Sequence, residues 1–220
     1  DRYPEALVAA DMLSAGGFFD RFLRQLNELG LRELTGVVAL GPRQLQRLQT
    51  YRRWPSSPSF FKVVPPWDFR PLPKVEPSAN PVLDRLGCRG KKVALYTGNL
   101  GEGHLFGPFV AAARWFHQRE RTDWQFVFVV RGSGRPQLET QTTGLPNVQV
   151  FDYFPEPETA ALLWSATVHL VSMKPGWYGI IVPSKICGVV LTKAPALFLG
   201  PPDSDTAEEL NVKNSGLSLP

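Results

Sequence analysis

The sequence has few of the residues that build covalently or metal-stabilised scaffolds. It contains 2 cysteines, Cys88 and Cys187, which are far apart, and 3 histidines without a Cys or His partner at metal-ligand spacing. A disulfide framework and a structural zinc site are therefore excluded. Such sparse cysteine usage predicts a reducing, cytoplasmic compartment.

Long apolar runs and several functional signatures are missing as well. No apolar run reaches the ~18 residues that a transmembrane helix needs, and the first residues show no signal-peptide pattern. The G-x-S-x-G elbow of serine hydrolases is absent, as are the signatures of nucleic-acid-binding modules. These absences argue against a membrane-spanning protein, a serine hydrolase of that type and a nucleic-acid binder.

Charge is modest, and hydrophobic residues are plentiful. The net charge is +4, and hydrophobic types make up 43% of 220 residues, which excludes an intrinsically disordered chain. The basic excess has two interpretations. It is either a solvated basic face or a surface that binds anions, such as phosphates or an anionic membrane.

Proline is abundant and unevenly distributed. The chain has 21 prolines, about twice the usual ~5%, and 8 of them lie between Trp54 and Pro81. Proline fixes φ and removes an N–H donor, so this segment is predicted to be an extended linker with one apolar piece at 60–64. Before it we expect helices over 18–29 and 43–51 and a strand over 36–41. A domain boundary is therefore predicted within the proline-rich segment.

After the hinge, strands and helices alternate. Apolar runs predict strands at 93–97, 125–130, 148–151, 168–172 and 196–199. Helices are predicted between and after them, at 103–118, 136–142, 156–165, 184–191 and 204–210. This order predicts an α/β protein with a Rossmann-like parallel sheet covered by helices on both faces. Such sheets bind ligands beyond the carboxyl ends of their strands, where the strand order reverses.

The loop after the first of these strands is rich in glycine. Gly98, Gly101 and Gly103 would let backbone amides approach a ligand, and a helix predicted to begin at Gly103 would add its dipole. The loop therefore predicts a diphosphate site, with a tight turn that binds nothing as the alternative. The glycine spacing differs from the G-x-G-x-x-G dinucleotide fingerprint.

Two further loops carry cations. Arg131 precedes two glycines and could reach an anion, although a solvated turn is the alternative. Ser184, after Pro183, predicts a helix start with a serine cap, which places Lys185 in the first helical turn. A cation there is disfavoured by the helix dipole unless an anion binds nearby; the alternative is a lysine that extends into solvent. His169, inside an apolar strand, is predicted to be a hydrogen-bonded core residue.

The ordered loops resemble a known family. Four segments carry the resemblance: 96–101 followed by His104, 129–134, 168–172 and 182–188. In this order and spacing they resemble the C-terminal, donor-binding domain of a GT-B glycosyltransferase of the family-4 type. Segment 64–68 resembles the hinge that precedes that domain, and 80–87 resembles its lead-in helix. The resemblance runs from about Ala10 to Leu210.

The resemblance implies an activity. A sugar would be transferred, without a metal or other cofactor, from a nucleoside-diphosphate sugar (a UDP-sugar first of all) with retention at the anomeric carbon. The acceptor would be a sugar or a lipid-linked saccharide in polysaccharide or glycolipid assembly, with peripheral contact at the inner face of the membrane. The motif order also implies a fragment that is inactive alone. It would consist of part of an N-terminal, acceptor-side α/β domain (1–53), the hinge with its lead-in helix (54–90) and a truncated nucleotide-sugar donor domain (91–220).

The resemblance also implies a set of site residues. Those expected to bind the donor are Gly98, Asn99, Gly101, Glu102, Gly103, His104, Arg131, Gly132, Phe154, Ser184 and Lys185. Lys185 would act in catalysis by stabilising the leaving diphosphate. Phe154 would lie near the base, and Ser184 would bond to ribose or phosphate.

The sequence departs from the family at three positions. Ile180 and Gly188 occupy the places of two glutamates, and Asn99 replaces an arginine. These departures leave open a nucleotide-binding or assembly module without turnover. An NADP-linked oxidoreductase is a third hypothesis, which depends on Arg131.

Overall fold

The computed structural model describes residues 3–51, 60–65 and 73–220 of the chain. Residues 54–59 and 66–72 of the predicted hinge, with Trp67 and Asp68, lie outside these ranges. The strands in the described ranges are β1 (Gly36–Ala39), β2 (Phe60–Val63), β3 (Lys92–Asn99), β4 (Trp124–Arg131), β5 (Val148–Phe151), β6 (Val168–Ser172), β7 (Ala196–Leu199) and β8 (Gly216–Leu219). The helices are α1 (Glu5–Ala9), α2 (Phe18–Arg32), α3 (Pro42–Gln49), α4 (Pro81–Arg85), α5 (Gly107–Gln118), α6 (Arg135–Thr142), α7 (Thr159–Trp164), α8 (Ile186–Thr192) and α9 (Asp205–Val212).

Six of the strands form one sheet in the order β5-β4-β3-β6-β7-β8. Every pair in it is parallel, for example Thr97 beside Val129 and Leu170 beside Leu197. The predicted parallel α/β architecture is therefore confirmed. The strand order reverses between β3 and β6, and this reversal opens a crevice beyond their carboxyl ends.

The core surrounds this sheet. Phe128 and Val127, neighbours on β4, are both fully buried and point to opposite faces. One face packs against α5 and α6, and the other against α4 and α7. A third apolar cluster joins α1, α8 and α9 around β6 and β7. Burial on both faces explains why these strands are continuous apolar runs.

The N-terminal part forms a second, smaller sheet. β1 pairs with β2 in parallel, from Gly36 beside Phe60 to Ala39 beside Val63. The apolar piece predicted inside the proline-rich linker is therefore a paired strand. The helix predicted over 18–29 is α2, which continues to Arg32. We call residues 3–51 and 60–65 the N-terminal unit, and residues 73–220 the C-terminal unit.

Several predicted boundaries are wrong. The helix expected from Gly103 begins at Gly107, where Pro108 occupies the first turn, because Leu105 N is held by Ser172 Oγ at 3.0 Å. The helix expected over 156–165 is a 3-10 turn at Glu156–Glu158 followed by α7. Strand β8 was not predicted, since its four residues alternate between apolar and polar types.

His169 is a hydrogen-bonded core residue, as predicted. Its Nε2 lies 2.9 Å from Thr192 Oγ1, and burial lowers its pKa to about 4, so the ring is neutral at pH 7. Among the helices in the described ranges, none is both long and apolar enough to cross a membrane.

Candidate functional site

The candidate site lies where the strand order reverses. The first glycine loop (residues 98–104) leaves β3, and the Lys185 loop (residues 173–185) leaves β6. Gly98 has φ +108°, a backbone conformation that residues other than glycine rarely adopt. A Cβ there would lie 3.4 Å from Lys185 Cε. The glycine therefore turns the backbone and leaves room for the lysine.

Lys185 crosses the crevice between these two loops. Its Nζ donates to the carbonyl oxygen of Asn99 at 3.2 Å and lies 4.9 Å from the centroid of the Tyr96 ring. Burial lowers the pKa of this ammonium from 10.5 to about 8, because a low-dielectric environment disfavours its charged form. Within the described ranges Lys185 forms no ion pair with a carboxylate. It is therefore a half-buried cation whose charge an anionic ligand would complement.

The second glycine loop (residues 131–135) packs against the first. Gly132 has φ +118°, and a Cβ there would lie 2.7 Å from the carbonyl oxygen of Leu100. That oxygen accepts a hydrogen bond from Gly134 N at 2.9 Å. Ser133 Oγ donates to Glu102 Oε1 at 2.7 Å. These contacts join the two glycine loops into one hydrogen-bonded rim, and Ser133 holds the carboxylate of Glu102.

His104 is the imidazole of this rim. Burial first, and the charge of Lys185 second, lower its pKa to about 4. The ring is therefore neutral at pH 7 and can both donate and accept a hydrogen bond. Lys174 also contributes to this lowering, and its backbone N–H donates to the Gly103 carbonyl at 2.9 Å. Two lysines thus lie close to one neutral histidine.

The structure separates two of the predicted residues from this group. Arg131 forms a hydrogen-bonded ion pair with Asp152, and its guanidinium lies 4.6 Å from the Tyr153 ring centroid. This pairing lowers the pKa of the Asp152 carboxyl. Phe154 packs edge-on against Phe151, with centroids 5.6 Å apart, beneath the guanidinium of Arg85. Their side chains contact these neighbours rather than Lys185.

Ser184 does not have its predicted local role. α8 begins at Ile186, so Lys185 is its N-cap residue, and no side chain caps the helix. Ser184 is exposed and precedes the helix. The predicted cap is therefore wrong, although Lys185 itself reaches the first glycine loop as the anion hypothesis requires.

A cavity of about 180 Å³ adjoins the first glycine loop. Residues of the 3–12 segment, including Ala6 and Ala10, form one wall. The opposite wall is the loop from Asn99 to His104, with Trp177 and Ile181. A Cβ at Gly103 would lie 2.8 Å from the Trp177 ring, so this glycine is needed for the wall to close. The cavity brings an apolar helix face opposite a polar loop.

Two residues of the group were not predicted. Tyr96 stands beneath the ammonium of Lys185, and Lys174 approaches His104. A signal existed for Lys174, since it lies two residues after a strand that borders the reversal point. In the described ranges, no group of three or more His, Cys, Asp or Glu residues is placed to hold a metal ion. The group can bind an anion through ammonium groups, loop amides and a neutral imidazole.

Comparison with known proteins identifies one curated relative at significant similarity. No family model matches the chain. The chain is 32% identical over 102 residues to WcaI of Escherichia coli strain K12, which is described as a glycosyl transferase of colanic acid biosynthesis. The match covers 46% of this chain and 24% of that protein. The chain thus spans about a quarter of the relative's length.

Solved structures share the fold at low sequence identity. Sucrose-phosphate synthase from Thermosynechococcus elongatus superposes with a TM-score of 0.66 and 15% identity, over 97% of this chain and 52% of that one. A mutant of TarM from S. aureus, solved with UDP, has a TM-score of 0.56 and 12% identity, over 84% of this chain and 34% of that one. The architecture of this chain is therefore the α/β fold of GT-B glycosyltransferases.

Proposed function

We propose that the chain is the nucleotide-sugar-binding part of a glycosyltransferase of polysaccharide or glycolipid assembly. The observation that carries the proposal is the position of Lys185, whose ammonium lies against the first glycine loop at the point of strand reversal. The sequence similarity to WcaI supports the same reaction class. We propose a UDP-sugar as the donor, a choice supported by the UDP that the fold neighbour TarM holds.

The chemistry follows from the charge that develops during transfer. The bond between the anomeric carbon and a phosphate oxygen breaks while the oxygen of an acceptor hydroxyl bonds to that carbon. The departing nucleoside diphosphate gains negative charge and takes up the hydroxyl proton. Lys185 and the amides of the first glycine loop would stabilise that charge electrostatically, and Lys174 would add a second cation. We propose a metal-independent reaction on this basis, and retention at the anomeric carbon on the basis of the resemblance to GT-B glycosyltransferases of the family-4 type. His104, whose ring is neutral at pH 7, would hydrogen-bond the donor without repelling the ammonium of Lys185.

The cavity between the two units would receive the acceptor. Its apolar wall, which includes Ala6 and Ala10, faces the polar loop from Asn99 to His104. A saccharide acceptor, free or linked to a lipid, would present hydroxyl groups to the loop and a less polar face to the helix. Assembly on a lipid carrier would place the protein at the inner face of a membrane, and the net charge of +4 suits that place.

Nucleotide binding is the first test. Differential scanning fluorimetry with UDP, GDP and ADP should show a rise in Tm for at least one nucleotide, since a ligand that binds only the folded state stabilises it. Isothermal titration calorimetry would then give the affinity. Absence of stabilisation by all three nucleotides at millimolar concentration would contradict the proposal.

Substitution of Lys185 makes this test specific. Lys185→Ala should weaken binding of the nucleoside diphosphate about tenfold or more, because it removes a charge-assisted contact to phosphate. The matched control is Lys91→Ala, an exposed lysine in the turn before β3 at the other end of the sheet. Equal affinities of the two variants would remove Lys185 from the phosphate site.

One observation favours a second candidate function, nucleotide binding without turnover. Ile180, which occupies the place of a family glutamate, is 2% exposed and packs in an apolar cluster. Its side chain offers no hydrogen bond to a donor sugar. Transfer or hydrolysis of a UDP-sugar by the protein would eliminate this alternative. The NADP hypothesis loses support, since Arg131 is paired with Asp152.

A further inference from the structure

The Lys185 loop is contacted by helix α3 of the N-terminal unit. Gly179, in the middle of the loop, has φ +70°, and a Cβ there would lie 2.9 Å from the carbonyl oxygen of Arg43. The Arg47 guanidinium lies 5.4 Å from the centroid of the Tyr178 ring, a cation–π distance. The loop that carries Lys185 at its end is therefore held at its middle by α3.

The same helix is anchored to the C-terminal unit by a carboxylate. Arg43 N donates to Asp205 Oδ1 at 3.1 Å and to Oδ2 at 3.3 Å, so Asp205 accepts from the first turn of α3. Arg43 Nε donates to the carbonyl oxygen of Asp203 at 3.1 Å. A Cβ at Gly41 would lie 2.7 Å from Asp205 Cγ, so glycine is needed for this approach. A carboxylate at a helix N-terminus is favourable, because it complements the orphan N–H groups and the helix dipole.

These two contacts fix α3 at both of its ends. Asp205 binds the N-terminal end, and Arg47, one turn further along, rests on Tyr178. The helix therefore bridges α9 and the Lys185 loop, although it belongs to the other unit. A shift of the N-terminal unit would move the loop, and with it the cation at the site.

We propose that α3 positions the Lys185 loop, so that Arg43, Arg47 and Asp205 act as positioning residues for the anion site. None of the three touches the Asn99 carbonyl or the Tyr96 ring that surround the ammonium. They act through Tyr178 and Gly179 on the chain that leads to Lys185. The inference rests on the proposed function in one respect only, that this ammonium binds the diphosphate.

The state of Lys185 gives a readout that needs no ligand. Its Cε resonance, followed by ¹³C NMR on the whole chain between pH 6.5 and 10, should titrate with a midpoint near 8 in the unaltered protein. Of the residues that the structure describes, the titratable groups that face it are Tyr96 and His104. Burial raises the pKa of the Tyr96 phenol and lowers that of His104, so neither titrates in this window.

The variants separate positioning from simple packing. Arg47→Ala and Tyr178→Leu should let the loop relax into solvent, and the midpoint should rise toward 10.5. Tyr178→Phe keeps the ring and should leave the midpoint unchanged. Asp205→Asn should also raise the midpoint. Its matched control is Asp123→Asn, at the opposite end of the sheet, which should leave the midpoint unchanged.

Affinity for UDP completes the test. Arg47→Ala and Asp205→Asn should lower the affinity about 3- to 10-fold, with far-UV circular dichroism unchanged. An unchanged Lys185 midpoint in both variants would overturn the inference, whatever the nucleotide affinity. If the midpoint rises but the unaltered protein binds no nucleoside diphosphate, the positioning role stands and the proposed function fails.

Discussion

The two units of the molecule are stabilised in different ways. In the C-terminal unit aromatic side chains are enclosed, and Tyr96, Phe128 and Phe198 are all 0% exposed. In the N-terminal unit apolar side chains face outward, with Phe18 78% and Phe60 52% exposed. The larger unit therefore has a core of its own, whereas the smaller one has a two-stranded sheet, which is marginal by itself.

The interior of the N-terminal unit combines a few buried apolar residues, such as Val37 and Ala39, with a polar network. Glu5, which is 5% exposed, accepts from the Tyr51 hydroxyl at 2.6 Å and from Arg24 Nη1 at 3.2 Å. Asp20 accepts from Arg24 Nε at 2.9 Å and from Gly16 N at 2.8 Å. Such a network fixes geometry strongly but adds less net free energy than an apolar core of similar size. The C-terminal unit therefore supplies most of the stability of the fold, and the N-terminal unit supplies a contact with the candidate site.

The largest expected effect is loss of the C-terminal core. Phe128→Ala should lower the free energy of unfolding by about 3–5 kcal/mol, because it removes a fully buried ring between two layers. Phe18→Ala should change it by less than about 0.5 kcal/mol, because that ring is mostly exposed. Guanidinium chloride unfolding measured by tryptophan fluorescence gives both values. Equal losses of unfolding free energy in the two variants would contradict the difference in burial between the two units.

A smaller effect tests the polar network. Glu5→Gln should lower stability by about 2 kcal/mol, since it weakens two hydrogen bonds to a buried carboxylate, one of them charge-paired. Amide hydrogen exchange should show lost protection in α2 with β4 unaffected. The matched control is Glu33→Gln, an exposed partner of Arg32 at 3.9 Å, which should cost less than about 0.5 kcal/mol. A loss spread equally over β4 would mean that the units unfold as one.

Local sequence was sufficient to predict much of the C-terminal unit. Strands β5, β6 and β7 have the predicted bounds, because buried parallel strands are continuous apolar runs bounded by turn residues. The position of the candidate site followed from the same alternation, since any such sheet reverses its strand order once. The sequence alone could therefore have predicted that Lys185 contacts the first glycine loop.

Contacts between distant residues explain what was missed. The start of α5 is set by the hydrogen bond between Leu105 and Ser172, which are 67 positions apart. The orientation of Arg131 depends on Asp152, which only the register of β4 and β5 brings close. Lys174 meets His104 because both β3 and β6 end at one edge of the sheet. No local pattern encodes these pairings, although the position of Lys174 two residues after β6 was a signal for its place at the site.

The smallest expected effect comes from the way in which the two units bury charged side chains. Glu5 is buried with a cation beside it, whereas Lys185 has a carbonyl and an aromatic ring as its neighbours. The unfolded chain holds the Lys185 proton up to its ordinary pKa of 10.5, but the folded chain releases it near 8. The charged form therefore destabilises the fold below pH 8, and this penalty falls as the pH rises from 8 and has disappeared above 10.5.

Lys185→Met should be more stable than the unaltered protein at pH 7 by on the order of 1 kcal/mol, a discounted value because the side chain is only half-buried. That corresponds to a Tm rise of about 2–4 °C. The advantage should fade by pH 10.5, and Lys91→Met should show none at any pH. Differential scanning calorimetry across this range measures both, and a Lys185→Met variant less stable at pH 7 would show that the lysine is held by its neighbours rather than reserved for an anion.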